Sequence, residues 1–246
     1  MLFYKRGKQK DLNKVLTGSD FMPPLFPGMM TELFYSLVII VSSMIIYFST
    51  KELYDLSQHK GIKYFRNAFL FFGISFIFFF LIKFIVFSFN LTRIPHFNPM
   101  FLGNIILFIF IYASTIAMFY LLYSVMWKKI DDKRNYNKIP IFHVIALIVS
   151  FLSVSTQNGF ILLLIQALVF LFIAIESYMN YRKSKKEKNI SSIYIIYFLV
   201  FAFWILNIID IIVPNFFSFV QIIIYTISSF IWLIILYKVL KKTGSV

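Results

Sequence analysis

The sequence has no cysteine. Disulfides, thiolate nucleophiles and cysteine-ligated metal centres are therefore excluded. Charge is scarce: 14% of the 246 residues are Asp, Glu, Lys or Arg, against about one quarter in a soluble domain. Only ten are carboxylates, and there are only eight glycines and seven prolines. No glycine-rich phosphate-cradling loop is present. His59, His96 and His143 are dispersed, without HExxH or another ligand spacing. Too little is left to assemble a catalytic or cofactor site, so no enzyme activity, cofactor or metal is expected. The first 28 residues, MLFYKRGKQKDLNKVLTGSDFMPPLFPG, are basic and polar. They contain no signal-peptide apolar core near the start.

Apolar side chains are abundant: 60% of the chain is hydrophobic and 21% aromatic, with a mean hydropathy of +0.83. Apolar runs of about 18 residues or more recur and read as transmembrane helices. Seven are expected, over 29–50, 67–89, 101–126, 140–155, 160–179, 191–212 and 217–239. Residues 140–179 are divided by the turn-forming cluster STQNG at 155–159. The expected fold class is all-α: a polytopic seven-transmembrane-helix bundle over 29–240. A polar arm (1–28) precedes it and a short cytoplasmic tail (241–246) follows.

The formal net charge of +14 lies mostly in short loops. The segments after the first, third and fifth spans, with the C-terminal tail, carry seventeen Lys and Arg. Those after the second, fourth and sixth carry one, Arg93. The positive-inside rule then puts the C-terminus in the cytoplasm and the N-terminus outside, in a multi-pass cell-membrane protein. Topology accounts for the basic residues, so no nucleic-acid partner is expected. Five basic residues in the arm oppose this orientation and would suit anionic headgroups on either side.

The segment LFFGISFIFFFLIKFIVFSF, residues 70–89, has one charge, Lys83. Counted from Arg66, Lys83 lies about 25 Å toward the outer side. Asp210 and Glu32 fall at similar depth. So do Asn104, Gln166, Asn207 and Gln221, in the outer halves of their spans; Glu176, at the cytoplasmic end of the fifth, does not. Helical spacing arranges polar and aromatic residues in stripes that should face the interior. These are Glu32, Ser36 and Ser43; Asn104, Tyr112 and Thr115; Trp204, Asn207 and Asp210; and Gln221, Tyr225, Ser228 and Trp232. A Lys83–Asp210 pair, joined by Glu32, is expected to line a polar pocket open to the outside. Candidate ligand-binding residues are Glu32, Lys83, Asn104, Trp204, Asn207, Asp210, Gln221 and Tyr225. Snorkelling of Lys83 to the headgroups and a purely structural ion pair are the alternatives.

A shift of 127 residues lays the first two spans over the fifth and sixth. It aligns Tyr54 with Tyr181, Phe71 with Phe198, Phe76 with Phe203 and Lys83 with Asp210. IPHF at 94–97 resembles VPNF at 213–216. A 3+1+3 layout of parallel repeats would follow. Asn90-Leu91-Thr92 and Asn189-Ile190-Ser191 are glycosylation sequons, expected in an outer and an inner loop.

The stretch TKELYDLSQHKGIKYFRNAFLFFGISF contains Leu53, Tyr54, Leu56, Gly61, Tyr64, Phe65 and Phe69. It resembles the helix–loop–helix of prokaryotic seven-helix sensor modules found N-terminal to membrane histidine kinases. That resemblance implies a receptor-like domain. Only KKTGSV follows Leu240, so no output domain is expected. A signal would pass to another membrane or cytoplasmic protein, through basic loops such as WKKIDDKRNYNK and YRKSKKEKN. The layout also resembles SWEET-type transporters, but no proline lies inside a span to act as a hinge. Microbial rhodopsins carry a lysine in the middle of their seventh helix; the one here, Lys238, is at the end. The reading is a stand-alone sensor or partner-binding module, embedded in the bilayer, with a small extracytoplasmic ligand. The alternatives are a small-solute or ion transporter and a non-catalytic subunit of a membrane complex.

Overall fold

The computed structural model describes residues 25–92, 99–131, 139–156, 159–184, 191–212 and 218–244. Most of the expected N-terminal arm, Arg93 and most of the second sequon lie outside them. Seven helices occupy the described residues: α1 Leu25–Ser57, α2 Lys60–Thr92, α3 Pro99–Asp131, α4 Ile139–Thr156, α5 Gly159–Ser184, α6 Ser191–Ile212 and α7 Ser218–Thr243. Six hold stretches long and apolar enough to cross a membrane. In α6 the apolar stretch, Tyr194–Asp210, is shorter. The chain is a helical, multi-pass membrane protein.

Each expected span corresponds to one helix, but several helices run further. The expected loop over 51–66 is helical apart from Gln58 and His59. Apolarity marks only the part of a helix inside hydrocarbon. Outside it, the i→i−4 bonds still form and the helix continues. At 33 residues each, α1, α2 and α3 are about 50 Å long, beyond the roughly 30 Å of hydrocarbon. The Asn90 sequon is helical too, in the last turn of α2 and not in a loop. The turn between α1 and α2 is tight. Gln58 has φ +50° and its N–H donates to the Tyr54 carbonyl at 2.7 Å. The His59 carbonyl then accepts from Ile62 and Lys63, at 2.9 and 3.3 Å, starting α2 at once.

The helices pack in a closed ring: α1 on α2, α2 on α3, α3 on α5, α5 on α6, α6 on α7, and α7 back on α1. α4 lies outside the ring against α3 and α5. Sequence dictates which face points where. On α1, Tyr35, Ile39, Ser42, Ile46 and Thr50 are buried, whereas Phe34, Leu37, Val41, Ile45 and Phe48 are exposed. Large apolar groups can face lipid, but hydroxyls need partners inside. α4 buries the small stripe Ala146, Val149, Ser150 and Ser153, which lets it lie close to its neighbours. His143 fastens it: Tyr112 meets Nδ1 at 2.7 Å and Tyr120 meets Nε2 at 3.3 Å.

Helices across the ring are too far apart for backbone contact, and aromatic rings fill the axis between them. Trp232 is fully buried. Its ring centroid lies 4.6 Å from Phe203, 5.7 Å from Phe69 and 5.7 Å from Phe72. Phe76 lies 6.2 Å from Phe203 and 5.7 Å from Tyr35. This aromatic plug lies between the two ends of the bundle.

Candidate functional site

A charged cluster forms at the end of the ring that holds the start of α1 and the end of α2. Lys83 Nζ is 2.6 Å from Glu32 Oε2. The Tyr225 hydroxyl is 2.9 Å from Glu32 Oε1 and 3.0 Å from Asp210 Oδ2. Tyr35 donates to Asn207 Oδ1 at 2.7 Å, and the Asn207 amide donates to the Phe203 carbonyl at 2.8 Å. The Tyr35 and Tyr225 rings pack at 5.1 Å. The cluster therefore joins α1, α2, α6 and α7. Its members meet because Glu32 and Tyr35 are three residues apart on α1, as are Asn207 and Asp210 on α6, so each pair shares a face.

The expected pairing is corrected in one respect. Lys83 binds Glu32 directly, and Asp210 joins through Tyr225. Both carboxylates are at the right depth, but rotation about the helix axes aims Glu32 at the lysine. Lys83 is also over the Phe79 ring at 5.4 Å. Its side chain is 32% exposed and that of Glu32 15%, so the ammonium is turned into the bundle instead of out to the headgroups.

The hydrogen count is informative. Tyr225 has one hydroxyl hydrogen and two carboxylate neighbours. With both carboxylates ionised, one of its two contacts lacks a hydrogen. Asp210 Oδ1 is buried with no hydrogen-bond partner. Among the described residues, the cluster thus has one cation for two carboxylates and one hydrogen fewer than its contacts can use. A proton, or a donor group from a ligand, would complete it. In a medium that penalises net charge, a proton or a cationic donor would also bring the cluster to neutrality.

The other sequence-derived candidates are elsewhere. Trp204 belongs to a separate chain across α3, α5 and α6: its Nε1–H donates to Gln166 Oε1 at 3.2 Å, and Gln166 Nε2 donates to Ser114 Oγ at 3.4 Å. Asn104 is half-buried and makes no hydrogen bond to a described residue. Gln221 is half-buried one turn before Tyr225. Tyr35, which completes the cluster, was not singled out in the sequence. Its signal was its spacing, three residues from Glu32.

The sequence also did not announce a cavity of about 360 Å³ at the opposite end of the ring. All six ring helices contribute to its lining; among the described residues, α4 does not, and no carboxylate does. Ser124 Oγ donates to the Gly61 carbonyl at 2.9 Å and lies 2.6 Å from the Tyr197 hydroxyl. A Cβ at Gly61 would sit 2.9 Å from Trp127 Cδ1 and 3.0 Å from His59 Cε1, so those rings would have to shift to admit a larger residue. Nearby, Arg66 stacks over Tyr47 and Tyr54, at 5.1 and 5.3 Å. Among the described residues, no group of three or more His, Asp or Glu is placed to hold a metal.

No protein-family model matches the sequence. An uncharacterized protein of Archaeoglobus fulgidus is 30% identical over 239 residues, an alignment that covers 90% of this chain and 97% of that protein. With that identity over nearly the full length of both, the chain belongs to the same family as the Archaeoglobus fulgidus protein.

Proposed function

We propose that the protein is a receptor-like seven-helix membrane module, with the Glu32–Lys83–Tyr225–Asp210 cluster as its ligand-responsive latch. The observation that carries this reading is the single Tyr225 hydrogen set between two carboxylates, on four helices, beside one lysine. A group that supplies charge or a donor there changes how α1, α2, α6 and α7 are fastened. The distribution of basic residues supports an orientation with the N-terminus outside and the cluster toward the outer side. Continuous helices with an aromatic plug between them suit transmission of a packing change to the other end. The helix–turn–helix at 53–69 has the local form that sensor modules show, and its basic surroundings suit a protein partner.

The test is thermal unfolding of the purified protein in lipid nanodiscs, wild type beside Lys83→Met. The panel is small amines, amino acids, carboxylates and inorganic ions. Ligands stabilise the state they bind. A compound that raises the wild-type midpoint and not that of the variant supports the latch as the binding element. Equal shifts in both proteins would place binding elsewhere.

The second reading, a small-solute or ion transporter, is favoured by the order of the ring. Contacts α1–α2, α2–α3 and α3–α5 have α5–α6, α6–α7 and α7–α1 as their counterparts, with α4 outside. That is the order expected of a 3+1+3 layout. The repeat-related residues Phe76 and Phe203 meet on the axis at 6.2 Å. Flux into proteoliposomes that Asp210→Asn abolishes would favour transport over sensing.

A further inference from the structure

We propose that the cavity at the His59 end is a binding site for a small organic anion with an apolar body. This inference is independent of the latch at the other end. The volume, about 360 Å³, is within the range of small-molecule pockets, which are mostly apolar with a few placed polar groups. The walls here have that character. Phe65, Trp127 and Tyr194 supply ring surface, and Ile62, Ile196 and Val239 aliphatic surface. Among the described residues, Lys242 is the one Lys or Arg in the lining, and no carboxylate opposes it there. The acidic residues nearest along α1, Glu52 and Asp55, are exposed and outside the lining. On α5, Glu176 is one turn from the lining residue Asn180 and is likewise outside it.

The hydrogen bonds at the wall also have a fixed direction. A backbone carbonyl can only accept, so Ser124 spends its one hydrogen on Gly61. At 2.6 Å the remaining contact must then run from the Tyr197 hydroxyl to Ser124. The Tyr197 oxygen keeps lone pairs and has no hydrogen left to give. A ligand that carries a hydroxyl at the end away from its anionic group matches both features, with its hydroxyl donating to Tyr197 and its anion beside Lys242.

The probes are 4-hydroxyphenylacetate, its cationic counterpart tyramine and its deoxy counterpart phenylacetate. Binding to the full chain in nanodiscs is read by thermal unfolding and by tryptophan emission, since Trp127 is in the wall. The expected order is 4-hydroxyphenylacetate tightest, phenylacetate weaker, tyramine weakest. Lys242→Met should weaken both anions about five- to tenfold and leave tyramine unaffected. Trp127→Phe should remove the emission change but keep the thermal shift. Gly61→Ala, which pushes a methyl group against Trp127 and His59, should weaken the anions with Lys242 intact. Equal binding of the three probes, a preference for tyramine, no binding, or insensitivity to both Lys242→Met and Gly61→Ala would each overturn the proposal.

Discussion

Replacing Lys83 by methionine removes the cation paired with Glu32, and its effect can be worked from the geometry. At 2.6 Å and an effective dielectric constant of about 20, the attraction to Glu32 is about 6 kcal/mol before desolvation is subtracted. Truncating one member of a buried pair typically costs about 3–5 kcal/mol, because the other charge is stranded. Here the lysine is 32% exposed, which lowers that figure to about 3 kcal/mol. Glu32→Gln should cost less, about 1–2 kcal/mol, because a freed lysine can extend toward the headgroups. The double variant should then be less destabilised than the two effects added, with a coupling of about 1–2 kcal/mol. For a chain of this size, about 3 kcal/mol lowers the unfolding midpoint by about 6–12 °C. The assay is thermal unfolding of all four proteins in one nanodisc preparation. A parallel cycle with Asp210→Asn should give a smaller coupling, since Tyr225 separates Asp210 from the lysine. Additive effects in the Glu32 cycle, or a larger coupling in the Asp210 cycle, would refute the pairing described here.

Four further outcomes are expected. Tyr225→Phe removes the one hydrogen set between the two carboxylates and should destabilise by about 2–3 kcal/mol, measured by the same unfolding assay. Trp232→Ala opens a void in the fully buried plug and should cost about 3–5 kcal/mol, with the bundle still helical by circular dichroism. His143→Leu should cost about 1–2 kcal/mol by unbonding Tyr112 and Tyr120. It should raise hydrogen exchange in α4 far more than in the ring helices. Gln58→Gly relieves a left-handed residue at φ +50° and should raise stability by up to about 1 kcal/mol in the unfolding assay.

The helices were legible because lipid imposes a one-dimensional rule: about 18 apolar residues in sequence mark a span. That rule is silent about polar ends, which is why residues 51–66 read as a loop although nearly all are helical. Lys83 stood out because charge inside a span is rare. Its partner did not, because sequence gives depth more readily than azimuth. Glu32 and Asp210 are level, and only the packing of α1 against both α2 and α7 decides between them. The bond of Tyr112 to His143 was half legible: Tyr112 lay in a recognised stripe, and Tyr120, eight residues on, shares its face. The cavity was illegible. It arises where Gly61, Ser124 and Tyr197, from three helices, leave space together, and none of them carries a signal alone.

In the proposed sensor, the charged latch at one end acts through the aromatic plug on the opposite end. The absence of native cysteine makes a direct test simple. Spin labels at Lys51→Cys and Arg182→Cys sit on exposed positions of α1 and α5, at the cavity end and on opposing sides of the ring. Their separation is measured by pulsed electron paramagnetic resonance in nanodiscs, with and without Tyr225→Phe. A change in mean distance of about 1–2 Å or more, the scale of helix shifts in switching proteins, is the expected result. Identical distance distributions, with the variant folded, would contradict the coupling and leave the cluster a local fastening of four helix ends.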